Sequence, residues 1–358
     1  MANLIFASEG NPVPDRMAAG RLAARDGTAI RWARFPAAAR PLKGTVIIVP
    51  GRNECIEKYF ETVRDLSKRG LGSLVFDLRG QGGSDRLLAD TQRGHVRSFD
   101  DYVGDLEEIF EQIALPDCPG PYYMLAHSTG GLVALLAAPG LVNRVRRMVL
   151  TAPLIEFAGL PVSMPWLRRI TGLLYRLGLG ARYFGGGPRK DAPEPFATNK
   201  LTTDHSRYER NVAIYRAHPQ LALGGPTVAW IRAVCMAVDR LRDPDFLARI
   251  HIPLLIVAAG ADEVVSTLAA ERLRLDHHHR RRPPRIAAGG RPLPRAGAGG
   301  LRRLRAGQRR VGAGGGRGKP RPVPPLSRSA RPAPPCAARR SPPPRCRRPS
   351  RPGPRRTG

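Results

Sequence analysis

This sequence lacks several patterns, and each absence excludes a class of protein. No run of about 18 apolar residues occurs, so no transmembrane helix is expected. The first residues lack the basic start and long apolar stretch of a signal peptide, which favours a cytoplasmic location. The five cysteines include no CxxC pair and no metal-ligand spacing, so free thiols are expected rather than a disulfide framework or a metal site.

Acidic residues are absent from the last 82 residues, although the whole chain carries a formal net charge of +30. This segment, residues 277–358, holds 24 of the 59 Lys and Arg residues and no aromatic residue. It is dominated by Arg, Pro, Gly and Ala, so it cannot bury enough apolar surface to offset the entropy of ordering. We therefore expect a disordered basic tail after an ordinary folded body.

Short apolar runs alternate with amphipathic stretches through the body. This alternation predicts a mostly parallel central sheet flanked by helices, an α/β fold. Residues 21–36 predict an antiparallel hairpin that turns at Asp26-Gly27. The other predicted strands are 45–50, 73–78, 122–127, 147–152 and 253–258, and the predicted helices are 56–69, 99–113 and 129–138.

The segment between the last two of these strands does not follow the alternation. Its apolar residues fall at helical spacing with arginines between them: Trp166, Ile170, Leu173, Leu174 and Leu177, with Arg168, Arg169 and Arg176. One interpretation is a helix packed on the sheet. The other is a lid over an active site, with an apolar face that lines an acyl slot and a basic surface able to contact an anionic membrane.

The sequence AHSTGG, residues 126–131, follows an apolar strand and precedes a helical run. A strand–serine–helix turn needs small residues two before and two after the serine, and Ala126 and Gly130 meet that demand. Such a turn exposes the Ser128 hydroxyl beside a helix N-terminus, where negative charge is stabilised. The motif therefore predicts Ser128 as a nucleophile, with a plain turn as the alternative.

Two histidines near this region are predicted to be structural. His127 precedes the serine, and neighbouring residues of a strand point in opposite directions. His95 lies in a loop. The glycine-rich segment 77–84 contains neither GxxxxGK nor a fitting GxGxxG, so it predicts a turn rather than a phosphate site.

Two further loops supply candidate site residues. VPGRNE, residues 49–54, ends an earlier strand, and in an α/β-hydrolase such a loop gives one oxyanion donor while the residue after the nucleophile gives the other. The predicted donors are the backbone N–H groups of Arg52 and Thr129; a simple strand-end turn is the alternative. Asp262 follows the last strand, in the chain order expected of a catalytic acid, whereas Glu263 is expected to point elsewhere. A solvated loop acid is the alternative for Asp262.

Several of these segments, taken in order, resemble one family. VPGRNECIEKY, FDLRGQGGSDR, GHVRSFDDY, LAHSTGG and AAGADEVV, together with NKLTTDHSRYERN and LALGGPTVAW in the insertion, are similar to the lysophospholipase and monoacylglycerol lipase branch of bacterial α/β-hydrolases, also classed as serine aminopeptidase-like. The resemblance spans about residues 20–275. It implies hydrolysis of a fatty-acyl ester through an acyl-enzyme on Ser128, with no metal or organic cofactor.

The sequence departs from this family at its catalytic histidine. The family places that residue in a loop beyond one more strand, usually within a motif like G-A-R-H-E, and no such motif occurs here. The later histidines, His277, His278 and His279, precede any further strand, so no catalytic histidine is identified. Reading the GC-rich codons of the tail one base out of frame permits a histidine codon across Pro284-Arg285, which favours a frameshift hypothesis for the tail.

Two functions remain open at this point. The first is a serine hydrolase of lysophospholipids or monoacylglycerols, inactive as written if the histidine is missing. The second is a non-catalytic relative whose tail binds nucleic acid electrostatically. The expected location is the cytoplasm, with peripheral contact to the inner face of the membrane through the cap. The predicted organisation is a hydrolase core over 20–154, a helical cap over 155–245, the rest of the core over 246–276 and the tail over 277–358.

Overall fold

The structure of the protein is a computed structural model that describes residues 4–189, 194–260 and 262–280. All of these lie in one compact unit, Met1–Gly289. The last helix continues to Arg280, four residues past the predicted end of the body. The expected disorder, the frameshift hypothesis and the nucleic-acid hypothesis all concern the tail. Apart from residues 277–280, the tail lies outside the described part of the chain.

The described residues form one seven-stranded sheet in the order β1-β2-β4-β3-β5-β6-β7. The first two strands make the predicted hairpin, and β2 also runs antiparallel to β4, while the remaining neighbours are parallel. The mostly parallel sheet expected from the alternating pattern is confirmed. The strands are β1 Ala18–Ala23, β2 Ala29–Phe35, β3 Gly44–Val49, β4 Leu71–Phe76, β5 Tyr122–His127, β6 Val145–Thr151 and β7 Leu254–Val257.

Helices cover both faces of this sheet. All six residues of β3 and all nine residues of the helix that follows Ser128 are buried, so the centre of the fold lies between them. This explains why these segments have no amphipathic pattern. The α-helices are α1 Phe60–Lys68, α2 Phe99–Ile109, α3 Leu115–Asp117, α4 Thr129–Ala137, α5 Met164–Arg176, α6 His205–Ala217, α7 Val228–Leu241, α8 Pro244–Ala248 and α9 Thr267–Arg280.

Two predicted helices are each interrupted in the structure. The predicted helix 56–69 begins as a 3₁₀ turn, Ile56–Tyr59, before α1. The predicted helix 99–113 starts at a Ser98 capping box and widens into a π-helical turn, Phe110–Ala114. Pro116 follows that turn and lacks the N–H that would continue the regular ladder, so a wider turn is physically reasonable there.

Helices α5 to α8 lie between β6 and β7, in the region predicted as a cap. The inner helix α7 packs against α4 and α2, and α5 packs on α7. The predicted helix around Trp166 is confirmed as α5, but it buries only Met164, Leu167 and Thr171. The apolar residues that predicted it include Trp166 and Leu173, which are exposed, so this face of α5 is not part of the core, and the lid over an active site stays a prediction. Among the described helices, none is long and apolar enough to cross a membrane.

Candidate active site

Ser128 sits at the tight turn between β5 and α4, with backbone angles φ 50° and ψ −116°. A positive φ is strained for a residue with a side chain, and such strain is typical of functional sites. A Cβ at Gly130 would lie 2.3 Å from the carbonyl oxygen of Val49 and 2.6 Å from that of Pro50. The turn therefore needs glycine at 130, as the sequence pattern predicted.

Hydrogen bonds hold this strained turn in place. The Ser128 N–H donates to Thr151 O at 3.0 Å, and the Ser128 carbonyl accepts from Leu154 N at 2.9 Å and from Gly131 N at 2.9 Å. The residue is half-buried, and within the described part of the chain its hydroxyl forms no hydrogen bond. The backbone is thus fixed to β6 while the side chain stays available.

The loop after β3 lies beside this turn. Val49 pairs with Ala126, and the position of a Gly51 Cβ is 3.2 Å from His127 Cδ2. The Glu54 carboxylate accepts from Gly51 N and from the Tyr59 hydroxyl, each at 2.6 Å. One acidic side chain therefore folds the loop back onto itself.

Gln81 clamps the same loop from the glycine-rich turn after β4. Its side-chain amide donates to Gly51 O at 2.7 Å and to Glu54 O at 3.1 Å, and its oxygen accepts from Asn53 N at 3.2 Å. The Tyr215 hydroxyl, from α6, donates to Asn53 O at 2.6 Å. Sequence reasoning missed Glu54 and Gln81 as positioning residues, although both lie within the segments that carry the family resemblance.

Glu54 is a half-buried carboxylate that stays ionised. Burial alone would raise its pKa, but Lys58 at 3.2 Å, the nearby His127 and the Tyr59 hydroxyl together hold the pKa of Glu54 at about 2. Burial and the Glu54 charge raise the pKa of Tyr59 well above its usual value. The phenol therefore remains a neutral donor, and the loop is fixed by a charge-assisted hydrogen bond.

The two predicted oxyanion donors belong to these two segments. Thr129 is the first residue of α4 and is buried, and Arg52 is in the loop that Glu54 and Gln81 hold. Within the described residues, no protein acceptor occupies the backbone N–H of either one. Free amides beside a helix N-terminus form a site that favours a developing negative charge.

Asp262 follows β7, two strands along the sheet from the strand that carries Ser128. Its Oδ1 accepts from Val264 N at 2.8 Å and from Val265 N at 2.9 Å, and the residue is half-buried. Glu263, in contrast, is exposed and pairs with Lys200 at 2.8 Å. Ser128, Asp262 and the loop after β3 all follow carboxyl ends of parallel strands, the edge where α/β sheets bind ligands.

No described histidine side chain hydrogen-bonds to Asp262. His127 Nδ1 lies 3.1 Å from both Thr151 O and Thr151 Oγ1. His95 Nδ1 lies 3.0 Å from Thr227 Oγ1, and burial followed by the charge of Arg97 lowers the pKa of His95. The side chains of 277–279 lie outside the described part. In that part no cluster of His, Cys, Asp and Glu could hold a metal ion.

Comparison with known proteins gives matches over most of the segment that carries the family resemblance, residues 20–275. The family model described as serine aminopeptidase, S33 matches residues 40–286. Lysophospholipase L2 of Escherichia coli (strain K12) is 34% identical over 284 residues, which is 76% of this chain and 78% of that protein. Monoglyceride lipase of Homo sapiens is 27% identical over 233 residues, 64% of this chain and 68% of that protein.

Two solved structures share the fold. A soluble variant of the monoglyceride lipase of Saccharomyces cerevisiae aligns with a TM-score of 0.55 and 20% identity, over 74% of this chain and 83% of its own. The monoacylglycerol lipase of Paleococcus ferrophilus aligns with a TM-score of 0.51 and 20% identity, over 69% of this chain and 84% of its own. These likenesses confirm the predicted hydrolase fold.

Proposed function

Because the chain belongs to the serine aminopeptidase S33 family and is an ester hydrolase of the branch that includes lysophospholipases and monoglyceride lipases, we propose that it cleaves the acyl ester of a lysophospholipid or a monoacylglycerol. The observation that carries the proposal is the strained backbone of Ser128, together with the backbone N–H groups of Arg52 and Thr129, which have no acceptor among the described residues. Ser128 attacks the ester carbonyl, the alcohol leaves, and water then releases the acyl group from the serine.

The oxyanion that forms during attack is stabilised by the N–H groups of Arg52 and Thr129. In related chemistry, removal of one such donor costs about 3 kcal/mol of transition-state stabilisation. The Arg52 amide is useful only if its loop keeps its position, which Glu54 and Gln81 provide. In this scheme these two are positioning residues, because they act through the loop rather than on the substrate.

Asp262 orients and stabilises the imidazolium of a catalytic histidine in this proposal. The segment that would supply the histidine lies beyond residue 280, and the codons of the tail permit a histidine in another frame. We propose that the chain as written lacks its general base and that the other reading frame restores it. Without a base the hydroxyl stays protonated, so turnover falls by at least about 10³-fold.

A paired assay on p-nitrophenyl laurate tests this proposal. The chain as written is compared with a version whose tail is read in the other frame, and each is also made as Ser128→Ala. We expect hydrolysis by the restored version only, lost in its alanine variant. Equal, Ser128-dependent turnover by both versions would overturn the proposal that the tail lacks the general base. Turnover that survives Ser128→Ala would overturn the assignment of Ser128 as the nucleophile.

The outer surface of α5 supports a second proposal, contact with an anionic membrane. Trp166, Leu173 and Leu177 are 58%, 60% and 65% exposed. A groove of about 960 Å³ between α5 and α7 is lined by two aspartates, Asp239 and Asp243, and by five arginines, Arg168, Arg169, Arg176, Arg232 and Arg242, so cations outnumber acids there. Exposed apolar side chains among cations favour the interface of a bilayer with acidic head groups.

The charge of the tail favours a third proposal, electrostatic binding of nucleic acid, as the alternative to ester hydrolysis. Residues 277–358 carry 24 basic and no acidic residues, so binding would release counterions and weaken steeply with salt. Removal of this segment is expected to abolish retention on a DNA column at low salt. Retention by the shortened chain would exclude the tail as the cause.

A further inference from the structure

The side chain of Arg52 turns away from the oxyanion loop and lies under the cap. Its Nη2 donates to Gly224 O, and its guanidinium carbon is 5.5 Å from the ring centroid of Trp230 in α7. On the core side it reaches Gly94, where a Cβ would lie 2.8 Å from Nη2. The cationic group is thus held between core and cap, and it belongs to the residue whose backbone N–H is the proposed oxyanion donor.

This cation has no opposite charge among the described residues. The side chain is half-buried, and its buried Nε has no hydrogen-bond partner in that part of the chain. Burial lowers the pKa of Arg52 to about 10, so it stays protonated at neutral pH. A buried cation without an anion or a full set of acceptors is unfavourable in a folded protein.

Two other half-buried arginines, Arg34 and Arg210, also have a buried Nε without a partner in the described part, but each pairs with a carboxylate, Asp117 at 3.7 Å and Glu61 at 2.6 Å. Arg31 pairs with Glu57 and Asp77. Arg86, which also lies between core and cap, donates to the carbonyl oxygens of Gly80, Gly82, Gln220 and Ala222. Arg52 therefore differs from its closest counterpart, Arg86, because its Nε–H has no acceptor among the described residues.

We propose that the Arg52 guanidinium binds the phosphate of a lysophospholipid and gives the site a preference for that ester over a monoacylglycerol. The inference rests on the proposed function at Ser128. In a lysophospholipid a three-carbon glycerol unit separates the ester from the phosphate, and three methylene groups separate the Arg52 backbone from its guanidinium. One residue can then contact both ends of the polar part of the substrate, and arginine binds phosphate through two parallel N–H groups.

Binding measurements test this without any need for turnover. The full chain is titrated with decanoyl lysophosphatidylcholine and with monodecanoylglycerol, below their micelle concentrations, and tryptophan fluorescence follows both. We expect tighter binding of the lysophospholipid. Arg52→Gln should weaken lysophospholipid binding roughly 10- to 100-fold, the loss of a charge-assisted contact, and monoacylglycerol binding by less than about threefold. Arg52→Lys should keep part of the preference.

Arg86→Gln is the matched control, because it removes a half-buried cation that has its acceptors already. It should leave the ratio of the two dissociation constants unchanged. An equal loss of affinity for both ligands in Arg52→Gln, or no preference in the unaltered chain, would overturn the proposal.

If Arg52→Gln does not fold, a competition experiment with glycerophosphocholine tests the site in the unaltered chain. Glycerophosphocholine should compete with the lysophospholipid, and failure to compete would refute a phosphate site. Failure of ester hydrolysis would leave these ratios unaffected, so the two proposals fail separately.

Discussion

Gly130 faces the carbonyl oxygen of Val49 so closely that an added Cβ would come within 2.3 Å of it. This contact joins the start of α4, directly after Ser128, to the end of β3, where the loop 50–54 begins. Since the obstructing atom belongs to the backbone of a fully buried strand, no side-chain movement can relieve the clash. The relative position of Ser128 and the loop after β3 is therefore set by the absence of a side chain at residue 130.

Gly130→Ala is expected to push the end of β3 away from the turn. The free energy of unfolding should fall by about 1–3 kcal/mol, as for overpacked cores, and any esterase activity should be lost. Thermal unfolding and ester hydrolysis measure the two effects. Gly104→Ala is the control, because nothing lies within 4 Å of its added methyl group, and alanine should stabilise α2 by about 0.5–1 kcal/mol. Equal stability of the two variants would contradict this account of the turn.

The charge of Glu54 predicts sensitivity to acid. Its pKa in the fold is about 2, below the usual 4.5, so its stabilisation is complete above about pH 4.5 and is lost as the pH falls toward 2. At most about 3 kcal/mol is involved. Glu54→Gln should lower stability at pH 7 and flatten the decline between pH 5 and 2, measured by urea unfolding.

Glu111→Gln provides the comparison for Glu54, since it removes an exposed carboxylate paired with Arg144 at 3.1 Å. Surface pairs contribute little, so its stability curve should follow that of the unaltered chain. A Glu54→Gln curve that keeps the full acid decline would show that another group causes it.

The exposed face of α5 predicts binding to anionic vesicles. Replacement of Leu173 and Leu177 by serine removes apolar surface that would enter the bilayer, so the partition coefficient should fall roughly tenfold or more. Flotation with vesicles of phosphatidylglycerol and phosphatidylethanolamine measures this. Leu42→Ser, at an exposed leucine before β3, should have no effect. Equal flotation of both variants would place the contact elsewhere.

Sequence patterns predicted those features of the site that depend on residues close together in the chain. The turn at Ser128 follows from a strand, two small residues and a helix, all within one short segment, and the strand positions follow from runs of apolar residues. The role of Gln81 depends on contacts with residues far away along the chain, which no sequence pattern encodes. Helical spacing likewise predicted α5 but could not tell which side its partner α7 occupies.

Covalent labelling of the serine with a fluorophosphonate tests the central claim most directly. The version with the tail read in the other frame is treated with the probe, digested and analysed by mass spectrometry, beside its Ser128→Ala variant. We predict one adduct, on the peptide that contains Ser128, and no adduct in the alanine variant. A restored protein that hydrolyses esters while Ser128 stays unlabelled, or that is labelled at another residue, would contradict the account.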